Sequence, residues 1–337
     1  MKQYYLKARN LVSSGTAKDT YILFVGNAMT AFWGFLFTLL VARALSVSDF
    51  GIFSATSNLV IILISLADVG IASGAVNFIS ESAAKGDERK VNRYIKASAI
   101  TRLFITLTIS AIVLAFAPFI AKNLLTTSNV KIAVWAAVMP IFLFPDMLFS
   151  FILQAKRKFL QSVILDNSFY IGRLLLVFIY YLAGTLTIPK AFWAFGIGFI
   201  FSVVATFVFI GSKFLGSKPR KTEYKKLFKF SGWIGVNRIV SSVSGRLDVQ
   251  MLAVMGGAMM TGIYAIPSKL ASFVVVLAGS YSSVLATRMA GLADKNKERT
   301  YLIKSSLALL PIVAGLILWI IIAEPFVLIL FGDKYLQ

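Results

Sequence analysis

The sequence predicts an all-α integral membrane protein with about nine transmembrane helices. Hydrophobic residues make up 58% of its 337 residues, and charged residues make up only 14%. A helix that crosses the apolar core of a bilayer needs about twenty predominantly apolar residues. Stretches of this kind occur at residues 20–42, 51–78, 99–121, 132–153, 166–184, 191–211, 230–255, 262–285 and 303–323.

Lysine and arginine are concentrated on one side of these stretches. They cluster in the N-terminal arm and after the second, fourth, sixth and eighth stretches, whereas the opposite connections carry only Arg43, Lys122, Lys131, Lys190 and Lys334. Because basic residues in short connections stay in the cytoplasm, we expect a multi-pass protein of the cell membrane with a cytoplasmic N-terminus. The formal net charge of +20 is explained by this topology and by attraction to anionic membrane lipids, so nucleic acid is not an expected partner.

Several chemistries lack the residues that they require. The chain has no cysteine and no histidine, which excludes disulfides, thiolate ligands and imidazole catalysis. It also has no phosphate-binding glycine loop followed by Lys and Ser or Thr, and no GxSxG motif. We therefore expect no metal, no cofactor and no enzymatic activity.

Short segments recur in the same order in the two halves of the chain, at a nearly constant separation. Because six predicted spans separate the copies, both copies enter the membrane from the same side, which is typical of a parallel repeat. The three pairs are Gly26-Asn27-Ala28 with Val236-Asn237-Arg238, Asp49-Phe50-Gly51-Ile52-Phe53-Ser54 with Met260-Thr261-Gly262-Ile263-Tyr264-Ala265, and Ala117-Pro118-Phe119 with Glu324-Pro325-Phe326.

The repeat predicts three regions. Residues 1–211 form a complete N-terminal six-helix bundle, residues 212–229 form a basic cytoplasmic linker, and residues 230–337 form part of a second bundle with three helices. The linker is polar and contains Pro219, as expected of a connection between domains. Since the second bundle is shorter than the first, we expect the sequence to be truncated at its C-terminus.

Four motifs resemble those of a known family. The resemblance is to the polysaccharide biosynthesis flippases of bacteria and archaea, which translocate O-antigen and other repeat units and belong to the multidrug/oligosaccharidyl-lipid/polysaccharide exporter superfamily. The motifs are Asp49-Phe50-Gly51-Ile52-Phe53, Ala67-Asp68-Val69-Gly70-Ile71, Asn77-Phe78-Ile79-Ser80-Glu81 and Arg246-Leu247-Asp248 with Gly262-Ile263-Tyr264-Ala265.

This resemblance implies a function. Such a flippase moves polyprenyl-pyrophosphate-linked oligosaccharide repeat units from the cytoplasmic to the outer leaflet, by alternating access to a cavity between two bundles. The implied partners are the lipid-linked glycan, membrane lipids, a polysaccharide polymerase and glycosyltransferases. Without a nucleotide-binding motif, the energy would come from an ion gradient, the membrane potential or the lipid gradient.

Charges inside the apolar stretches are the candidate site residues. Each costs about 2.5–3.5 kcal/mol at the centre of a bilayer, so we expect them to face a cavity or a partner. Arg238 and Arg246 lie eight residues apart on one predicted helix, which brings them to within about 80° of each other around its axis. Arg102 and Lys304, at the ends of their stretches, are expected to extend towards lipid headgroups instead. The candidates for substrate binding are Arg173, Arg238, Arg246, Lys269, Asn27 and Asn237, and those for ion coupling are Asp68 and Asp248.

The predominance of cations favours an anionic substrate such as a diphosphate, because arginine binds phosphate oxygens in a bidentate manner. Two alternatives remain open. A cation-coupled multidrug exporter of the same superfamily would need an acidic cavity lined by aromatic residues, and a non-transporting scaffold for polysaccharide assembly would need no cavity. Four aromatic residues are candidates to stack on sugar rings, namely Trp33, Phe37, Tyr170 and Tyr264.

Overall fold

The computed structural model describes residues 15–289 and 324–335, and these residues are helical with no strand. The helices are α1 (Gly15–Ala44), α2 (Val47–Asp68), α3 (Ile71–Ala84), α4 (Glu88–Ala115), α5 (Ala117–Asn123), α6 (Val130–Ala155), α7 (Phe159–Leu182), α8 (Ile188–Ile210), α9 (Lys221–Ser244) and α10 (Leu247–Met289). A short helix covers residues 324–331, and 3₁₀ turns occupy Lys213–Gly216 and Asp333–Tyr335.

Seven of the described helices are long and apolar enough to cross a membrane. They are α1 from Tyr21 onwards, α2, α4, α6, α7, α8 and the Leu247–Ala271 part of α10. The all-helical, multi-pass architecture is therefore confirmed. The ninth predicted stretch, 303–323, lies outside the described residues, so the count of about nine stays a prediction.

The predicted stretch 51–78 is not one helix. It is divided between α2 and α3 at Val69 and Gly70, whose φ angles are 39° and 75°. Backbone in this left-handed region ends an α-helix, and valine rarely adopts it. Hydropathy does not detect the break because apolar residues continue on both sides of it.

The predicted stretch 230–255 is also wrong as a single span. Helix α9 ends at Ser244 and α10 begins at Leu247, so a turn at Gly245 and Arg246 divides the stretch. Helix α9 is absent from the seven candidate spans because lysines in its first turns lower its apolarity.

The described helices belong to two compact units, Met1–Thr261 and Gly262–Gln337. In the first unit, α7 packs against α1 and α8, and α6 packs against α4 and α8. Helix α9 packs on α2, α3 and α4, which is why the first unit extends well beyond the predicted bundle at 1–211.

The connection before α9 is held against α4. The Lys96 ammonium donates to the carbonyl oxygen of Leu215, and the buried Glu223 carboxylate lies 3.1 Å from the Arg93 guanidinium. Glu223 also accepts from the backbone N–H of Arg220 and so caps α9. The non-helical part of the predicted linker 212–229 consequently ends at Arg220.

Candidate functional site

A cavity of about 750 Å³ lies within the first compact unit, where the break between α2 and α3 faces α4, α6 and α9. Its volume falls in the range of about 300–1,000 Å³ that is typical of ligand sites. The cavity is lined by Ile64, Ser65, Asp68, Ser73, Arg102, Met147, Phe151, Trp233, Ile234, Asn237, Arg238, Ser241 and Ser242.

One carboxylate holds two arginines at this cavity. Asp68 Oδ2 accepts from Arg238 Nη1 at 2.7 Å, and Asp68 Oδ1 lies 3.2 Å from Arg102 Nη1. Arg102 Nη1 also donates to the carbonyl oxygen of Met147 at 2.9 Å. The ionisable side chains that line the cavity are these three, so it carries one net positive charge.

The helix break fixes the position of the carboxylate. Asp68 is the last residue of α2, and its Oδ1 accepts from the backbone N–H of Ala72 in the first turn of α3 at 3.1 Å. The first N–H groups of a helix have no partner within the helix and carry partial positive charge. Asp68 is therefore stabilised by a backbone donor as well as by the arginines.

The two arginines differ in their access to the cavity. Arg102 is 3% exposed, whereas the Arg238 side chain is 42% exposed. Apart from Nη1 on Asp68, the Arg238 guanidinium has no hydrogen-bond partner among the described residues, although it lies 5.8 Å from the Phe151 ring. Both arginines line the cavity, but a ligand there meets an open Arg238 guanidinium and an almost fully buried Arg102.

Helix α9 contributes a polar face to the same cavity. Trp233, Asn237 and Ser241 follow at intervals of four residues, which places them on one side of the helix. The Ser241 hydroxyl donates to the Asn237 side chain at 3.2 Å, and the Ser242 hydroxyl pairs with the Ser65 hydroxyl at 2.6 Å. Trp233 is 82% exposed and presents a large aromatic surface.

Two glycines allow α9 to approach the helix break. A Cβ atom on Gly70 would lie 2.6 Å from the Ser231 carbonyl oxygen, and one on Gly235 would lie 2.6 Å from the backbone of Val69. Small residues of this kind let helix backbones come close together in membrane proteins. This contact places Arg238 within reach of Asp68.

The structure brings together three of the predicted site residues, Asp68, Asn237 and Arg238. Arg246, predicted to lie on the same helix as Arg238, instead occupies the turn between α9 and α10, where its carbonyl oxygen accepts from Asn58 at 2.9 Å. The angular argument that joined Arg238 and Arg246 was wrong, because it assumed one continuous helix.

Three other candidates are not among the residues that line this cavity. Asn27 is exposed on α1, and Asp248 is exposed in the first turn of α10. Lys269 is exposed and belongs to the second compact unit.

Arg173 occupies a closed environment inside the first unit. It is 9% exposed, and its Cζ lies 4.3 Å from the ring centre of Tyr170, 4.4 Å from that of Phe37 and 5.0 Å from that of Phe195. The Phe169 ring is 5.7 Å away. Aromatic rings attract a cation through their quadrupoles, so this cage stabilises a charge that does not line the cavity.

Sequence reasoning missed Arg102, which was expected to extend to lipid headgroups. It is buried because α4 begins at Glu88, well before the predicted stretch, so Arg102 lies in the middle of the helix. A signal was present, since Ser98, Arg102, Thr106 and Ser110 follow at intervals of four and all four are buried. A polar stripe on an apolar helix indicates a face that packs against protein.

Comparisons with solved structures show a transporter fold. An inward-facing multidrug resistance transporter of the MATE family, in the MOP superfamily, matches 90% of this chain and 72% of its own with a TM-score of 0.72 at 15% identity. An outward-facing one matches 94% and 75% with a TM-score of 0.63 at 14% identity. A MOP superfamily transporter from Pyrococcus furiosus, whose binding pocket is described as having a reverse polarity that suggests a different function, matches 93% and 73% with a TM-score of 0.64 at 14% identity.

No curated protein matches the chain. A family model described as polysaccharide biosynthesis protein, however, matches residues 16–292. The match covers most of the chain and includes every residue that lines the cavity. The chain therefore belongs to the polysaccharide biosynthesis protein family, with the fold of a MOP superfamily transporter.

Proposed function

We propose that the protein is a flippase that moves polyprenyl-pyrophosphate-linked oligosaccharide repeat units from the cytoplasmic to the outer leaflet. The observation that carries the proposal is the exposed Arg238 guanidinium in a cavity of about 750 Å³ with one net positive charge. Membership of the polysaccharide biosynthesis family supports a glycan-linked substrate.

The diphosphate is the part of such a substrate that an apolar membrane opposes most strongly. A charge taken out of water without a partner costs several kcal/mol. Arginine offsets this cost because its planar donors match phosphate oxygens. Arg238 is the binding group in this proposal, and the neighbouring Asn237 amide and Ser241 hydroxyl supply neutral donors.

Transport proceeds by alternating access in this proposal, with the cavity open first to the cytoplasm and then to the outside. The energy source is an ion gradient, the membrane potential or the lipid gradient. A polysaccharide polymerase and glycosyltransferases act on the same lipid-linked glycan and are the proposed partners.

The sign of the cavity distinguishes this function from multidrug export. An organic cation in the cavity would lie near two arginines, Arg102 and Arg238. The single carboxylate there, Asp68, is already paired with both of them. Like charges within one cavity repel strongly where water is scarce, because the dielectric constant there is low. The lipid diphosphate is therefore the favoured substrate, even though two of the similar solved structures are multidrug transporters.

Reconstituted vesicles test the proposal directly. The full chain is placed in lipid vesicles with a fluorescent, short-chain polyprenyl-pyrophosphate disaccharide, and the appearance of the label in the opposite leaflet is followed by quenching. Arg238→Ala should slow this appearance by at least about tenfold, because one charge-assisted contact is worth more than 1.4 kcal/mol. Arg89→Ala, at an exposed position in the first turn of α4, is the matched control and should flip at the parent rate.

Two results would contradict the proposal. One is an Arg238→Ala protein that is folded and flips the lipid at the parent rate. The other is parent protein that leaves the lipid in its leaflet but moves a lipophilic organic cation across the same vesicles.

The proposed orientation places the N-terminus and the 211–220 connection in the cytoplasm. The absence of native cysteine allows single-cysteine labelling without a background. Ser217→Cys should react with an impermeant maleimide only after the cells are opened, and Ser128→Cys, before α6, should react in intact cells. The reverse pattern would invert the topology.

A further inference from the structure

We propose that Asp68 is an internal competitor for the ligand's phosphate, and that substrate binding at Arg238 proceeds by exchange of one anion for another. In the structure described here, the Asp68 carboxylate occupies one edge of the Arg238 guanidinium at 2.7 Å. The inference rests on the proposed function and assigns to that site a residue that controls when it binds.

The first argument is that the exchange is confined to one of the two arginines. Arg102 is 3% exposed and is fixed by the Met147 carbonyl oxygen as well as by Asp68. Arg238 is 42% exposed, and Asp68 is its single hydrogen-bond partner among the described residues. A phosphate arriving through the cavity can replace Asp68 on the exposed Arg238 more readily than on Arg102, which is buried and held by a second acceptor.

The second argument is that Asp68 keeps its charge compensated after the exchange. Its Oδ1 retains Arg102 at 3.2 Å and the backbone N–H of Ala72 at 3.1 Å, and neither contact depends on Arg238. A buried carboxylate that lost all its partners would be very costly, whereas one that keeps a cation and a helix N–H is not. The Asp68–Arg238 contact is therefore the one that a ligand can replace while Asp68 keeps a cation and a backbone donor.

The third argument concerns what the contact connects. Asp68 ends α2 at the left-handed Val69 and Gly70, and Arg238 lies on α9, which packs on that break through Gly235. Exchange of Asp68 for a phosphate removes an ion pair between α2 and α9. Binding of a ligand to Arg238 therefore affects the packing of α9 on the helix break, because the guanidinium that binds the phosphate is the one that otherwise pairs with Asp68 of α2.

Binding measurements on the full chain in detergent test this exchange. The probe is farnesyl pyrophosphate, with farnesyl monophosphate and inorganic pyrophosphate as separate arms. Asp68→Asn removes the competing charge and should bind farnesyl pyrophosphate about tenfold more tightly than the parent. The reason is that the phosphate no longer has to displace a carboxylate from Arg238, and one hydrogen bond to a charged group is worth about this much. Glu88→Gln, which removes an exposed carboxylate 3.7 Å from Lys156, is the control and should leave the affinity unchanged.

A second variant protects the test against misfolding. Asp68→Asn leaves the buried Arg102 without its carboxylate, whereas Asp68→Asn combined with Arg102→Met removes both buried charges together. The double variant keeps Arg238 free and should also bind more tightly. Tighter binding that is abolished by adding Arg238→Ala confirms the exchange.

The outcomes separate this inference from the proposed function. If the parent does not bind farnesyl pyrophosphate through Arg238, the proposed function fails. If the parent binds it through Arg238, but folded protein without the Asp68 carboxylate binds no more tightly, the competitor role alone is overturned. If Asp68→Asn raises the affinity for inorganic pyrophosphate by the same factor as for farnesyl pyrophosphate, the exchange depends on the phosphates alone. If it raises the affinity for the farnesyl compound only, the exchange also requires the lipid chain.

Discussion

Arg173 and Arg238 are both arginines in helices of one compact unit, and their surroundings differ completely. Arg173 is enclosed by four aromatic rings and does not line the described cavity. Arg238 is paired with a carboxylate and is open to a cavity of about 750 Å³. Rings stabilise a cation without competing for a ligand's anion, whereas a carboxylate both stabilises it and occupies it. The comparison teaches that two arginines of one unit differ in what they offer a ligand, because Arg238 alone has both unengaged donors and open space beside it.

The largest expected effect on stability comes from removing Arg102, the buried arginine that shares the Asp68 carboxylate with the exposed Arg238. Arg102→Ala leaves Asp68 with less compensation in a position that is 5% exposed, and we expect the loss of about 3 kcal/mol of stability. Thermal unfolding in detergent measures this effect. Arg102→Met together with Asp68→Asn should recover most of the loss, and a single variant as stable as the parent would contradict the buried ion pair.

A smaller effect is expected at the ring-enclosed arginine. Arg173→Ala removes a desolvated cation from four aromatic rings and should lower stability by about 2 kcal/mol. Because Arg173 does not line the cavity, the rate of lipid flipping per folded protein should stay at the parent value in the vesicle assay. A folded Arg173→Ala protein that no longer flips the lipid would remove the distinction between the two arginines.

The smallest effect tests the helix contact that brings Arg238 to Asp68. Gly235→Ala places a methyl group 2.6 Å from the Val69 backbone and should cost about 1–2 kcal/mol through overpacking. Gly232→Ala, with nothing within 4 Å of its Cβ position, is the matched control and should be neutral or slightly stabilising. Thermal unfolding compares the two, and equal melting temperatures would show that α9 does not pack closely on the break.

Much of the architecture is predictable from hydropathy, because a bilayer demands long apolar helices with satisfied backbone groups. Six of the predicted stretches overlap α1, α2, α4, α6, α7 and α8, and three of the predicted site residues, Asp68, Asn237 and Arg238, line one cavity. That these three bind a substrate stays a prediction.

The remaining features depend on backbone geometry that a hydropathy window averages away. The left-handed φ of Val69 has no counterpart in composition, and a hydropathy average passes over the helix-stop signal at Ser244 and Gly245. Arg102 and Arg173 look alike in the sequence, since each interrupts an apolar helix. Their partners, a carboxylate on α2 and rings from α1, α7 and α8, come from distant parts of the chain.

The packing of α9 has a mechanical consequence. Since α9 is held on α2, α3 and α4, the connection at residues 211–220 begins and ends on the same compact unit, to which Lys96 also ties it. Gly257, with φ 78° and ψ −178°, is the residue inside α10 whose backbone leaves the helical region. A residue with a Cβ atom at position 257 would be strained in that conformation, so the course of α10 depends on a residue without a side chain at this position.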